Sequence, residues 1–229
     1  MRAGPGSVLA APMIRRIVFL IVGLSCLLAT TSHARAHPHV WVTMTSELLY
    51  APDGSITGVR HDWAFDDMYS AFATQGLDQK TKGVFTREEL APLAKVNIDT
   101  LKDSDYFTFV TADGKKIPLS DPPTDYWLDY DDTVLTLHFT LPFKQPVKAK
   151  NLLIEIYDPT IYVDFEFAKE DPVSTVGAPP QCQLKYQRPP EMKFTFSQGK
   201  VLGEAFFNSL TPAQNWGERF ANKIMVHCG

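Results

Sequence analysis

Cysteine is scarce in this 229-residue sequence: Cys26, Cys182 and Cys228 are the full set, and no two form a CxxC pair. No GxGxxG, Walker A, HExxH or GxSxG motif occurs either, so the familiar dinucleotide, nucleotide, zinc-protease and serine-hydrolase signatures are absent. No apolar run reaches the roughly 20 residues a spanning helix needs. Gly (13) and Pro (17) show no excess, which excludes a collagen-like chain. With 45% hydrophobic and 21% charged residues the composition is that of a globular protein, not a disordered polymer. A basic surplus is also missing: 22 Lys and Arg stand against 26 Asp and Glu. Nucleic acid is therefore not an expected partner.

What is present begins with a leader. Arg15 and Arg16 precede an apolar run from Ile17 to Ala29, and Ala34-Arg35-Ala36 has the small-x-small form of a cleavage site. Residues 1–36 read as a secretory signal that is removed, with Met13 a plausible alternative start. The apolar run has 13 residues, too few for a permanent anchor. Residues 37–229 then form a single periplasmic domain with no stable membrane anchor. The leader holds four Arg and no acidic residue, leaving 18 basic against 26 acidic residues, a net charge of −8. Cys26 departs with the leader. Cys182 and Cys228 most simply pair in an oxidising compartment, with a thiolate metal site that includes His227 as the rival reading.

The remaining chain reads as α+β, mainly antiparallel β and sandwich-like, with two to four helices. His37 to Tyr50 and Ile56 to Phe65 form a hairpin around Pro52-Asp53-Gly54. On the return strand His61, Trp63 and Phe65 share a face. Asp66 caps a short helix to Leu77, and Thr86-Arg-Glu-Glu89 is a capping box for a helix reaching about Asp103. Strands follow over Tyr106–Thr111, Lys115–Leu119, Thr124–Tyr130, Thr133–Leu141, Asn151–Asp158 and Ile161–Ala168, then a short segment around Cys182–Gln187. His138 falls on the solvent face of its strand. A final helix is expected from Thr211-Pro212 to about Val226, with Gln214 completing its capping box.

Signal removal makes His37 the first residue, followed by Pro38 and His39. A terminal His chelates through its own amine and Nδ1, and the amine's reference pKa near 8 leaves part of it unprotonated at neutral pH. His39 lies on the same strand face. Pro38 has no N–H to lose, which rules out the square-planar mode built on deprotonated amides. Hairpin register pairs His61 near position 46, roughly 30 Å from His37 at about 3.3 Å per residue, so His61 joins the set only through a bulge or crossing sheet. Asp158, at a turn that ends a strand, is the carboxylate candidate. The candidate metal ligands are thus His37, His39, His61 and Asp158, and the cofactor is a divalent transition metal, zinc first, with nickel, cobalt or copper open. No catalytic residue is assigned and no enzyme is expected. A copper-holding His brace with oxidative chemistry is the enzymatic alternative.

The start His37-Pro-His-Val-Trp-Val, the segment Trp63-x-Phe65-Asp66-Asp67-x-Tyr69-Ser70, Tyr157-Asp-Pro-Thr160 and the closing Val226-His-Cys228 resemble domain-of-unknown-function family 1007. That resemblance implies a bacterial periplasmic protein associated with metal (zinc, nickel or cobalt) permeases, of the kind labelled as the periplasmic component of an uncharacterised ABC-type system. The implied role is capture or delivery of a metal for an inner-membrane permease, with His37 and His39 matching the motif. A structural module that docks to a permease without metal is the alternative.

Overall fold

A computed structural model describes residues 39–189 and 209–229. The expected leader and His37 lie outside the described residues. Strand β1 (Val40–Tyr50) alternates buried Val40, Val42, Met44, Ser46 and Leu48 with covered or exposed positions between them, as a half-buried strand should. Strand β2 (Ile56–Phe65) returns antiparallel, and Ser46 pairs with His61, the register expected from the turn position. A short helix α1 (Asp67–Thr74) follows, its N-terminal amides at Met68 and Tyr69 bonded to the Asp66 carboxylate. Helix α2 (Arg87–Leu101) carries the expected Thr86–Glu89 capping box and buries Leu90, Ala94 and Ile98.

The strands then continue as β3 (Thr108–Ala112), β4 (Lys115–Lys116), β5 (Thr124–Asp131), β6 (Val134–Val147), β7 (Asn151–Ile156), β8 (Val163–Phe167), β9 (Val173–Val176), β10 (Cys182–Gln187) and β11 (Asn222–Cys228). One sheet runs β5-β6-β2-β1-β8, with β9 also pairing β1; the other runs β10-β11-β7-β3-β4. Pairing is antiparallel except for β1 with β8 and β9. The α+β, sandwich-like architecture, with two α-helices among the described residues, agrees with the sequence reading. Core side chains come from both sheets: Met44, Trp63, Leu137 and Phe139 from the first, Ile154, Ile156 and Ile224 from the second. The otherwise open edge of β8 is closed by side chains, since Asn222 Nδ2 donates to the Phe165 carbonyl and Arg188 to the carbonyls of Phe167 and Ala168.

The expected C-terminal helix is absent. Its capping box forms, yet it starts only a three-residue 3₁₀ turn (Pro212–Gln214), which ends at Asn215 in the left-handed region (φ 48°). A second short 3₁₀ segment, Trp216–Phe220, leads into β11. Ile224 and Val226 alternate into the core between β10 and β7, a slot that only a strand fills. Cys182 and Cys228 pair directly across β10 and β11 and form a disulfide. Among the described residues no helix is long and apolar enough to cross a membrane.

Candidate functional site

The start of β1 is held from two sides. The Tyr162 carbonyl accepts from the amides of His39 (2.9 Å) and Val40 (3.3 Å). On the other side Asp66 Oδ2 accepts from the Trp41 amide at 2.9 Å, and the Asp66 amide donates back to the Trp41 carbonyl. One carboxylate thus caps α1 and fixes the strand beside it. The exposed imidazole of His39 lies flat on Tyr162, with ring centroids 4.7 Å apart and planes within 8°. His39, two residues after the expected terminal ligand His37, therefore stands on a strand start braced from both sides.

Tyr162 is itself placed by Asp158. The Asp158 carboxylate is buried and accepts four hydrogen bonds: Oδ1 from the amide and hydroxyl of Thr160, Oδ2 from the amides of Tyr162 and Val163. These bonds hold a turn in which Ile161 has φ 61°, an unfavourable angle for a β-branched residue. Both oxygens are saturated by the chain's own donors, so Asp158 acts as the staple that presents Tyr162 to His39 and offers no spare lone pair to a metal.

His61 is separated from this edge. It lies fully buried between the sheets, seven positions along β1 from His39, or roughly 23 Å at 3.3 Å per residue. Ser46 Oγ sits 2.8 Å from Nδ1 and Thr108 Oγ1 3.3 Å from Nε2. The Thr108 hydroxyl donates to the Tyr106 carbonyl, so it accepts from Nε2–H, and the Ser46 hydroxyl donates to Nδ1. Burial pushes the His61 pKa down to about 3, which the neighbouring Asp62 only partly opposes; the ring is neutral. Its face was legible in the two-residue period, since Trp63 and Phe65 beside it are core residues.

A second histidine was read as simply solvent-facing and is not. His138 does sit on the outer face of the first sheet, but Trp127 stacks over it at 4.7 Å and 9°, and its side chain is only 19% exposed. Nδ1 meets Asp62 and Nε2 lies 3.3 Å from Asp129. Arg87, stacked on Trp127, binds Asp129 through two nitrogens, and Trp127 Nε1 donates to the same carboxylate. The His138 bond, set against partial burial, holds the Asp62 carboxyl below its usual range. Both imidazole nitrogens are engaged, which makes this cluster a clamp between α2 and the sheet. Only the cross-strand register, unknown before the fold, brings these five residues together.

Asp164 is a further titratable group near the His39 edge, on β8 beside Trp41. It is half-buried, and burial together with Glu166 pushes its pKa up to about 6. Asp164 makes no hydrogen bond or ion pair with any described residue, in contrast to Asp66 and Asp158. It lines a small pocket with Tyr157, Phe165, Gly217 and Phe220 at the start of β8. Among the described residues no three His, Cys, Asp or Glu side chains converge as a metal-holding group.

Known proteins place the chain without naming an activity. An uncharacterized protein of Haemophilus influenzae is 25% identical over 201 residues, covering 84% of this chain and 91% of that relative. An uncharacterized 15.5 kDa protein in the trpE 3′ region of Spirochaeta aurantia is 33% identical over 98 residues, covering 42% of this chain and 69% of the relative. The model described as "Protein of unknown function (DUF1007)" matches residues 22–228, and the chain belongs to that family.

Proposed function

We propose that this chain is a periplasmic transition-metal-binding accessory protein, which captures or delivers a divalent ion, zinc first, for an inner-membrane permease. The observation that carries the reading is the exposed His39 imidazole, anchored on Tyr162 at a braced strand start two residues after His37. Stacking occupies the ring faces, whereas a metal binds at the ring edge, so the tyrosine orients the imidazole without competing for its nitrogens. Ligands at a strand start exchange their ion more readily than a buried four-residue cage, as handover to a transporter requires. An amine freed by leader removal gives His37 a second donor atom.

Isothermal titration of chain beginning at His37 with Zn²⁺, Ni²⁺ and Cu²⁺ tests the reading. Binding that is lost in a His37→Ala, His39→Ala double variant is the expected outcome; unchanged affinity in that variant rejects the site. A second reading, a docking module without its own metal, is favoured by exposed Trp41 and Tyr162 at this edge and by exposed Met68 and Phe72 on α1, the helix that Asp66 ties to Trp41. Permease binding that persists in chelator, and is abolished by Phe72→Ser, would select it.

A further inference from the structure

Helix α1 is polar at its two buried positions, Ser70 and Thr74, and apolar at Met68 and Phe72, which are 65% and 75% exposed. A helix on a globular domain ordinarily does the reverse and turns its apolar stripe to the core. Hydroxyl groups fasten the inner face. Ser70 Oγ accepts from the Leu135 amide at 3.0 Å and donates to the Phe65 carbonyl at 3.4 Å, and Thr74 Oγ1 donates to the Ser70 carbonyl at 2.8 Å. Tyr69 and Ala73 pack against the core from the flank of the helix. Met68 and Phe72, one turn apart, are left facing outward, so neither is explained by the stability of the fold.

Asp66 carries this apolar face on to β1, because its carboxylate accepts from the amides of both Met68 and Trp41. Trp41 is itself 42% exposed. In the parallel register it stands beside Asp164, and Thr43 beside Glu166. Residues 39–50, 61–79 and 157–168 build this surface and contain no Lys or Arg, whereas Asp67 borders the helix anchors and Asp164 and Glu166 border Trp41. That sign of charge selects among the things that could cover the patch. Anionic lipid headgroups attract basic segments and are repelled here. A second copy would set the same acids against each other across a two-fold axis. A protein segment with Lys or Arg around apolar side chains meets neither obstacle.

We propose that Met68, Phe72 and Trp41 form a docking face for a cationic amphipathic segment of a partner protein, whose apolar side chains cover the three anchors while its Lys or Arg groups meet Asp67, Asp164 and Glu166. The inference rests on the docking reading above and adds the chemistry of the partner. The two parts of the face have different work. Aromatic and methionine anchors supply the affinity once water is excluded around them. Exposed rim carboxylates steer the encounter and make it sensitive to salt, contributing less to the final affinity. Three anchors make a small face, which suits a reversible contact and not an obligate complex.

Two synthetic amphipathic helices of about 18 residues, roughly five turns, test this; they share one Leu and Phe face and carry either Lys or Glu on the other. Fluorescence anisotropy measures their binding to chain beginning at His37, to Phe72→Ser, to an Asp67→Asn, Glu166→Gln double variant and to Val176→Ser, an exposed apolar position on β9. Circular dichroism shows each variant folded. The Lys peptide is expected to bind the unaltered protein, to lose at least roughly tenfold in Phe72→Ser and to bind Val176→Ser normally. In the double variant its binding should weaken severalfold and depend less on salt. If Phe72→Ser binds the Lys peptide normally, or Val176→Ser loses as much, the assigned face is wrong. If the Glu peptide binds as tightly and with the same dependence on Phe72, the cationic partner falls and the docking reading stands. Phosphatidylglycerol vesicles and sedimentation equilibrium complete the set. Phe72-dependent vesicle binding, or Phe72-dependent dimers, without peptide binding makes the occupant lipid or a second copy and overturns both readings. If peptides, vesicles and dimers are all absent, both fall as well.

Discussion

The carbonyl oxygen of Asp158 occupies the space where a side chain at residue 217 would begin: a Cβ on Gly217 would stand 1.8 Å from it. The Gly217 amide also donates to the Pro159 carbonyl at 3.2 Å, so the segment before β11 lies directly on the turn that positions Tyr162.

A methyl group at this point therefore cannot be accommodated without moving backbone. Gly217→Ala is expected to destabilise the fold by about 3 kcal/mol, the upper part of the range for overpacking. Urea unfolding checks it. A loss below about 0.5 kcal/mol would mean that the two segments separate easily.

His61 makes stability depend on pH. The fold keeps it neutral down to about pH 3, whereas the unfolded chain protonates it near the ordinary histidine value of 6.5. The folded pKa is the depressed one, so the contribution is complete above about 6.5 and is lost as pH falls from there toward 3. The slope is one proton, about 1.4 kcal/mol per pH unit. Unfolding free energies at pH 7, 6 and 5 should fall more steeply for the unaltered protein than for His61→Gln. Parallel profiles would contradict the burial of a neutral ring.

The Cys182–Cys228 bond closes a loop of 46 residues. Reduction, or replacement of both cysteines by Ala, should cost about 2–4 kcal/mol, equivalent to a drop of roughly 5–15 °C in melting temperature. Calorimetry with and without reductant measures this. A metal ligand role for the same thiols is not available while they are bonded to each other.

Arg87 and His138 never touch but share Asp129. Their Ala variants should therefore be non-additive, with a coupling of about 0.5–1 kcal/mol in a double-mutant cycle. Strict additivity would show that the clamp between α2 and the sheet is not a unit.

Much of the fold could be read locally because its signals are local. Alternation along β1 and β2 with a turn at Asp53-Gly54 gives the register that pairs Ser46 with His61, and Thr86 with Glu89 marks the start of α2. Thr211 and Gln214 carry the same kind of cap, yet the segment beyond them became a strand. There a vacant place between β10 and β7 outweighed a helix start that lacked a continuing apolar stripe. At the candidate site, His39 was evident from spacing alone. The difference between Asp158 and Asp164 was not: it depends on which carboxylate the folded backbone saturates, and four donors from residues 160–163 settle that for Asp158.

The parallel pairing of Val40 with Val163 also bears on how the chain acquires its shape. The opening strand gains its second neighbour only after more than half of the polypeptide has been made, so the first sheet cannot close as synthesis proceeds. High contact order of this kind gives folding in milliseconds to seconds, not microseconds. In the exported-protein reading proposed above, that delay leaves an interval in which the nascent molecule is still threadable.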